Sequence, residues 1–148
     1  QSMLYLDITG KAPRRRCKKV VQWFKDRYMP FHHLDITVAH RGLKREHAQG
    51  FCTVMDCDHR PREFLIEMET TLKEEQYVTV LLHELWHVWQ HVNGSLRDKR
   101  GVRHWKNVDA DHLSYEDQPW EHEAEKMEKV LYNDYIGVKT FSNRLTKS

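Results

Sequence analysis

The run LLHELWHVWQH, Leu81 to His91, constrains the fold of this chain more than any other stretch. On an α-helix, residues three and four apart share a face, so Val78, Leu81, Leu82, Leu85, Trp89 and Val92 form one apolar stripe. His83 and His87 stand one above the other on a different side, with Glu84 beside them. The helix therefore has a core face and a chemical face. Thr71 followed by Glu74 reads as a capping box at its start, and Asn93-Gly94 as its stop.

Other elements follow from the same periodicities. Cys17, Val20, Val21, Phe24 and Tyr28 recur at helical spacing, which predicts a helix from about Pro13, suited to a first turn, to Tyr28, before Pro30. MLYLDITG is a short strand or an ordered arm. Three β-rich runs, LDITVAH from Leu34, GFCTVMD from Gly50 and REFLIEME from Arg62, predict a small, mostly antiparallel sheet. CDHRPRE would join the last two as a hairpin, and RGLKREHAQ would be a longer loop. A polar loop, Ser95 to Gln118, then leads to a last helix from about Pro119 to about Gly137, packed through Trp120, Ala124, Met127, Val130, Leu131 and Tyr135. The expected class is α+β, with the sheet packed on the histidine-bearing helix and flanked by N- and C-terminal helices.

With 148 residues the chain is expected to form one domain, 3–148, with Gln1 and Ser2 read as the remnant of a tag. No apolar run approaches the roughly 20 residues that span a bilayer, and no secretory signal is seen, so a soluble, intracellular protein is expected. Cys17, Cys52 and Cys57 are an odd set without C-x-x-C spacing and are expected to be buried free thiols. A formal net charge of +2 implies no general field for polyanions. The basic residues nevertheless cluster in KAPRRRCKK, Lys11 to Lys19, and RDKRGVRHWK, Arg97 to Lys106. A solvated helix start and a surface loop account for them; a nucleic-acid contact is the alternative.

The histidine pair with its glutamate is the H-E-x-x-H pattern, and in this the chain resembles zinc metallopeptidases. A catalytic Zn²⁺ takes three protein ligands and keeps one position open, so a third ligand is required. His91 continues along the same helix, but three ligands stacked on one straight helix converge poorly. The extended metzincin pattern fails, since Gln90 and Asn93 stand where it needs Gly and His. PWEHEAE, Pro119 to Glu125, resembles the second helix of gluzincins: Glu121, then Ala124, then Glu125. By that resemblance Glu121 is the third ligand and Glu125 hydrogen-bonds a ligand imidazole, while the small Ala124 lets the helices approach. SprT-like, or Spartan-like, peptidases also begin with H-E-x-x-H but take a third His from a following His-Gly segment. RGVRHWKN has Gly101, Trp105 and Lys106, but Arg100 replaces the expected His, leaving His104 as the substitute. That departure favours Glu121.

The implied reaction is hydrolysis of a peptide bond, with Glu84 as base for a zinc-bound water and then as acid for the leaving amine. A structural zinc site would have four ligands and no use for Glu84. Tyr115, His112 or His104 are candidates for a second electrophile. His32, His33, His40, His47, His59 and His122 read as loop or exposed residues and are assigned no metal role. An extended peptide would pair with a sheet edge near FLIEMET, as an added strand. The leading expectation is a zinc endopeptidase acting on a peptide or protein. Its rivals are a SprT-like protease acting on DNA-associated proteins and a non-catalytic, metal-stabilised interaction module.

Overall fold

A strand, a helix and a strand open the chain: β1 (Leu4–Gly10), α1 (Arg14–Tyr28) and β2 (Leu34–His40). A helical crossover returns the chain in its original direction, so β1 and β2 pair in parallel, Leu4 opposite Leu34. β3 (Gly50–Val54) and β4 (Glu63–Met68) follow as a hairpin that enters from the far side. β4 docks on β2, again in parallel, and leaves β3 as the edge in the order β1-β2-β4-β3. The sheet is therefore mixed rather than mostly antiparallel. Its two parallel pairings arise because α1 and the segment after β2 both carry the chain back before the next paired strand begins. The computed structural model describes residues 3–57 and 59–147; Gln1 and Ser2 lie outside them.

Alternation along β2 turns Leu34, Ile36 and Val38 inward, and β4 adds Phe64, Ile66 and Met68. Cys17, Val20, Val21 and Phe24 of α1 and Leu81, Leu82, Leu85 and Val88 of α2 (Glu74–Asn93) close over this layer, all fully buried. Burial of a large aliphatic side chain stabilises by roughly 1.5–3 kcal/mol, so this one apolar cluster carries most of the fold's driving force. An aromatic seam, with Tyr28 edge-on to Trp86 at 5.6 Å and Trp23 edge-on to Tyr135 at 5.3 Å, joins α1 to α2 and to α3 (Pro119–Lys147).

A local signal explains where α2 ends, though not where it begins. Gly94, at φ 85°, is the left-handed cap expected at its C-terminus, a conformation that costs glycine little. At the other end Lys73 is the cap, and Thr71 does not close a capping box with Glu74. Thr71 instead donates both its hydroxyl, at 2.6 Å, and its backbone N–H, at 2.8 Å, to the buried Glu69 carboxylate, which also accepts Leu43 N–H at 2.7 Å. These three donors hold the Glu69 carboxyl down to about 2.

Three further expectations are corrected. Residues 95–118 are not a plain loop but contain a three-stranded antiparallel sheet: β5 (Leu96–Lys99), β6 (Val102–Trp105) and β7 (Val108–Asp109). Its two tight turns, Arg100-Gly101 and Lys106-Asn107, have φ of 53°, 79°, 49° and 69°, the doubly left-handed turn that matches strand twist. α3 does not stop at Gly137, because that glycine lacks the positive φ of a cap; an exposed helical glycine costs only about 1 kcal/mol and is passed through. Of the thiols, which are all free, Cys17 is buried, Cys52 half-buried and Cys57 exposed. No helix among the described residues is long and apolar enough to cross a membrane.

Candidate metal centre

α2 and α3 pack antiparallel, as a ladder of contacts read backward along α3 demonstrates. Gln90 Nε2 donates to the Trp120 carbonyl at 3.0 Å, His87 meets Glu121, and His83 meets Glu128. Ala124, fully buried between them, admits the close approach. The Glu121 carboxylate consequently spans both imidazoles, with Oε1 3.1 Å from His83 Nε2 and Oε2 3.1 Å from His87 Nε2. One donor atom from each of His83, His87 and Glu121 falls within 4.8 Å of the others.

The ring nitrogens turned away from this point are already committed. His83 Nδ1 donates to Glu128 Oε1 at 2.7 Å, and His87 Nδ1 to Gln90 Oε1 at 2.7 Å. The amide of Gln90 is oriented unambiguously: its Nε2 donates to Trp120 O and to Glu123 Oε1, and Glu123 Oε1 also accepts Trp86 Nε1–H at 2.8 Å. In neutral rings both Nε2 lone pairs therefore point at an anion, and only a cation between them relieves the repulsion. A proton serves for His83. Burial opposes its charge, but the carboxylates of Glu121, Glu84 and Glu128 hold the imidazolium up to about 9. Glu121, against burial, is pulled below the usual carboxylate range by the same two histidines. A metal ion could take the same place, since one donor atom from each of the three residues is within reach of it. Ligands about 2.0–2.2 Å from a tetrahedral ion stand about 3.3–3.6 Å apart, and the two imidazole–carboxylate separations of 3.1 Å lie near that, in a donor set of a kind that holds divalent transition metals.

Glu125 does not hold a ligand imidazole. It is exposed at the rim, and Glu128 takes that place. A helix turns about 100° per residue, so seven residues beyond Glu121 return to within about 20° of its direction whereas four overshoot by about 40°. Periodicity therefore offered Glu128 as a candidate on the face of Glu121, and the docking of α3 selects it.

Glu84, 6 % exposed, lines a cavity of about 760 Å³ together with His83, His87 and Glu121, and burial pushes its carboxyl above the ordinary range, partly offset by His87 and His83. Gly50 makes room for it: a Cβ there would lie 3.1 Å from both Glu84 Cγ and Oε2. β3 thus lies directly along the cavity as the open edge of the sheet, while β4, with FLIEMET, is internal and cannot receive an added strand.

Tyr115 reaches the site, its hydroxyl donating to Glu121 Oε1 at 3.5 Å from a largely exposed ring. His104 and His112 do not line the cavity; His104, on β6, turns Nδ1 to the Val102 carbonyl at 2.9 Å. His91 does line it and, buried and near Arg103, is kept neutral with a value lowered to about 4. His40, expected to be exposed, is a core residue bonded to the Tyr77 hydroxyl at 2.8 Å and the Thr9 carbonyl at 3.1 Å. Within the basic clusters, Arg16 pairs with Glu74, Arg14 donates to Ile8 O, Arg97 to Gly94 O, and Arg103 to Asp98. Compared with protein-family models, curated proteins and solved structures, the chain matches none of them.

Proposed function

We propose that this protein is a zinc-dependent metallopeptidase of gluzincin-like plan, acting on peptides or proteins. The observation that carries the reading is the convergence of His83 Nε2, His87 Nε2 and the Glu121 carboxylate at one wall of a cleft that also holds the buried Glu84. His83, His87 and Glu121 would hold the ion, and Glu128 and Gln90 would fix the tautomer and angle of the two imidazoles. When bound, the ion supplies a Lewis acid that acidifies water and polarises a peptide carbonyl.

The chain's own residues do the rest. Glu84, with its raised affinity for a proton, takes one from the attacking water and delivers it to the leaving amine. The Tyr115 hydroxyl, beside Glu121, would donate to the oxyanion that develops on the carbonyl oxygen. The free edge of β3 offers backbone partners to an extended peptide and so aligns it along the cleft.

The test is Glu84→Gln, assayed on a fluorescently labelled unfolded protein. Wild type should cut it, lose activity to a chelator and regain it with Zn²⁺. The variant should retain one zinc per chain and lose on the order of 10²–10⁴ in rate. Equal cleavage by both proteins would reject the mechanism.

A further inference from the structure

Among the described residues lining the cleft, Arg103 is the only lysine or arginine. The walls nearest the ion site are acidic, with Glu84, Glu121, Glu125 and Glu128. Arg103 stands on β6, where Trp120 and the neutral His91 lie beside it along the cleft. It is also held still. Asp98, its register partner on β5, accepts Nε–H at 2.9 Å and Nη2–H at 3.1 Å, and the guanidinium carbon lies 5.5 Å from the centre of the Trp120 ring. A guanidinium has five N–H bonds; two are donated to Asp98, leaving three that no described side chain accepts.

These features fit together chemically. A planar, immobilised guanidinium with free N–H bonds binds carboxylates in preference to amides, because its fork matches two oxygens and little side-chain freedom is lost on binding. Asp98 reduces the net charge of the pair but does not occupy the free edge. Partial burial beside Trp120 and the neutral His91 strengthens a charged hydrogen bond there, and the acidic walls elsewhere repel a second negative group. We infer that Arg103 forms a carboxylate-binding subsite at one end of the cleft, so that the preferred substrate carries a negative group near the bond to be cut. The group is an acidic side chain or the peptide's own C-terminal carboxylate. This inference rests on the peptidase reading for the nature of the ligand, though not for the existence of the subsite.

Binding to the zinc-loaded Glu84→Gln protein separates the two. The probes are N-acetylated peptide amides that differ only by Glu or Gln at one position, and the Gln peptide with a free C-terminus. One charged, partly solvated contact should favour a carboxylate peptide by about tenfold. The Glu amide and the free-terminus probe identify which source is used. Arg103→Gln in the same background should bring the ratio to about one. If Arg103 serves only the β5–β6 hairpin, the carboxylate and neutral peptides bind equally, or the preference survives in Arg103→Gln, and either result overturns the inference. Should Arg103→Gln fail to fold, Arg103→Lys keeps the charge without the fork and must still lower the ratio; an unchanged ratio counts as the same refutation. A charge preference in a protein whose wild type cuts no peptide would sink the peptidase reading and leave the subsite standing. Cleavage without charge preference would do the reverse.

Discussion

Helix α2 is buried along two seams of opposite chemistry. Toward α1 and the sheet it presents Leu81, Leu82, Leu85 and Val88 to an apolar layer. Toward α3 it presents His83, His87 and Gln90, the last two of which are buried almost as deeply, with Glu84 beside them facing β3. The apolar seam is non-directional, so its cost of damage follows volume. The polar seam is directional: a buried imidazole or amide is stabilising only while its particular partner remains, and becomes a liability when that partner is removed. One seam builds the fold, and the other uses that rigidity to hold charged groups where water would separate them.

Breaking the polar seam at its centre should give the largest effect. Glu121→Ala removes one of three proposed ligands, and zinc content after dialysis, measured with circular dichroism to verify folding, should fall from about one per chain to near zero. Retention of zinc by the folded variant would remove Glu121 from the site. Breaking the apolar seam should lower stability without touching the site: Leu82→Ala should cost about 2–5 kcal/mol in urea unfolding while each folded molecule still binds zinc. A Leu82→Ala protein that lost zinc at unchanged stability would contradict the division between the seams. A smaller effect is expected one step from the ion. Gln90→Ala leaves His87 Nδ1 without its acceptor and should weaken zinc binding about 10–100-fold, measured by competition with a chelating dye.

The smallest effect lies outside both seams and sharpens the contrast with a carboxylate that serves the fold alone. Glu69 is held to about 2 by the Leu43 and Thr71 donors, below the roughly 4.3 of an unfolded chain. A depressed value means that its contribution is complete above the unfolded value and is lost as pH falls through the folded one. Glu69→Gln should therefore flatten the stability profile between about pH 5 and 2, leaving zinc content at neutral pH unchanged. An identical acid limb in both proteins would show that Glu69 is not held by those donors in solution.

Much of this arrangement is legible in the chain because helical periodicity is a local property. The apolar stripe of α2, the His83 and His87 pair, the Gly94 stop and the α1 span all follow from spacing and turn chemistry within a few residues. Glu121 was reachable through its resemblance to a known second helix, and α3 does bring it to both imidazoles. The small sheet was missed because its residues are polar and its strands short; the Arg-Gly and Lys-Asn pairs at two-residue turns were the available signal. Thr71 and Glu74 matched a capping pattern, but the buried Glu69 competes for the same hydroxyl, and its need for donors prevailed.

By itself the sequence determined that one helix would carry apolar and ionisable faces on opposite sides, since a period of 3.6 residues fixes that without reference to any neighbour. Tertiary structure decided whatever depends on the relative phase and direction of two elements. The antiparallel docking of α3 selected Glu128 over Glu125 for His83. The crossover through α1 made the sheet mixed and the insertion of β4 left β3 as its open edge, and the β5–β6 hairpin carried Arg103 into the cleft. Those outcomes come from packing between segments far apart in the chain, where no local spacing records which side of one element will face another.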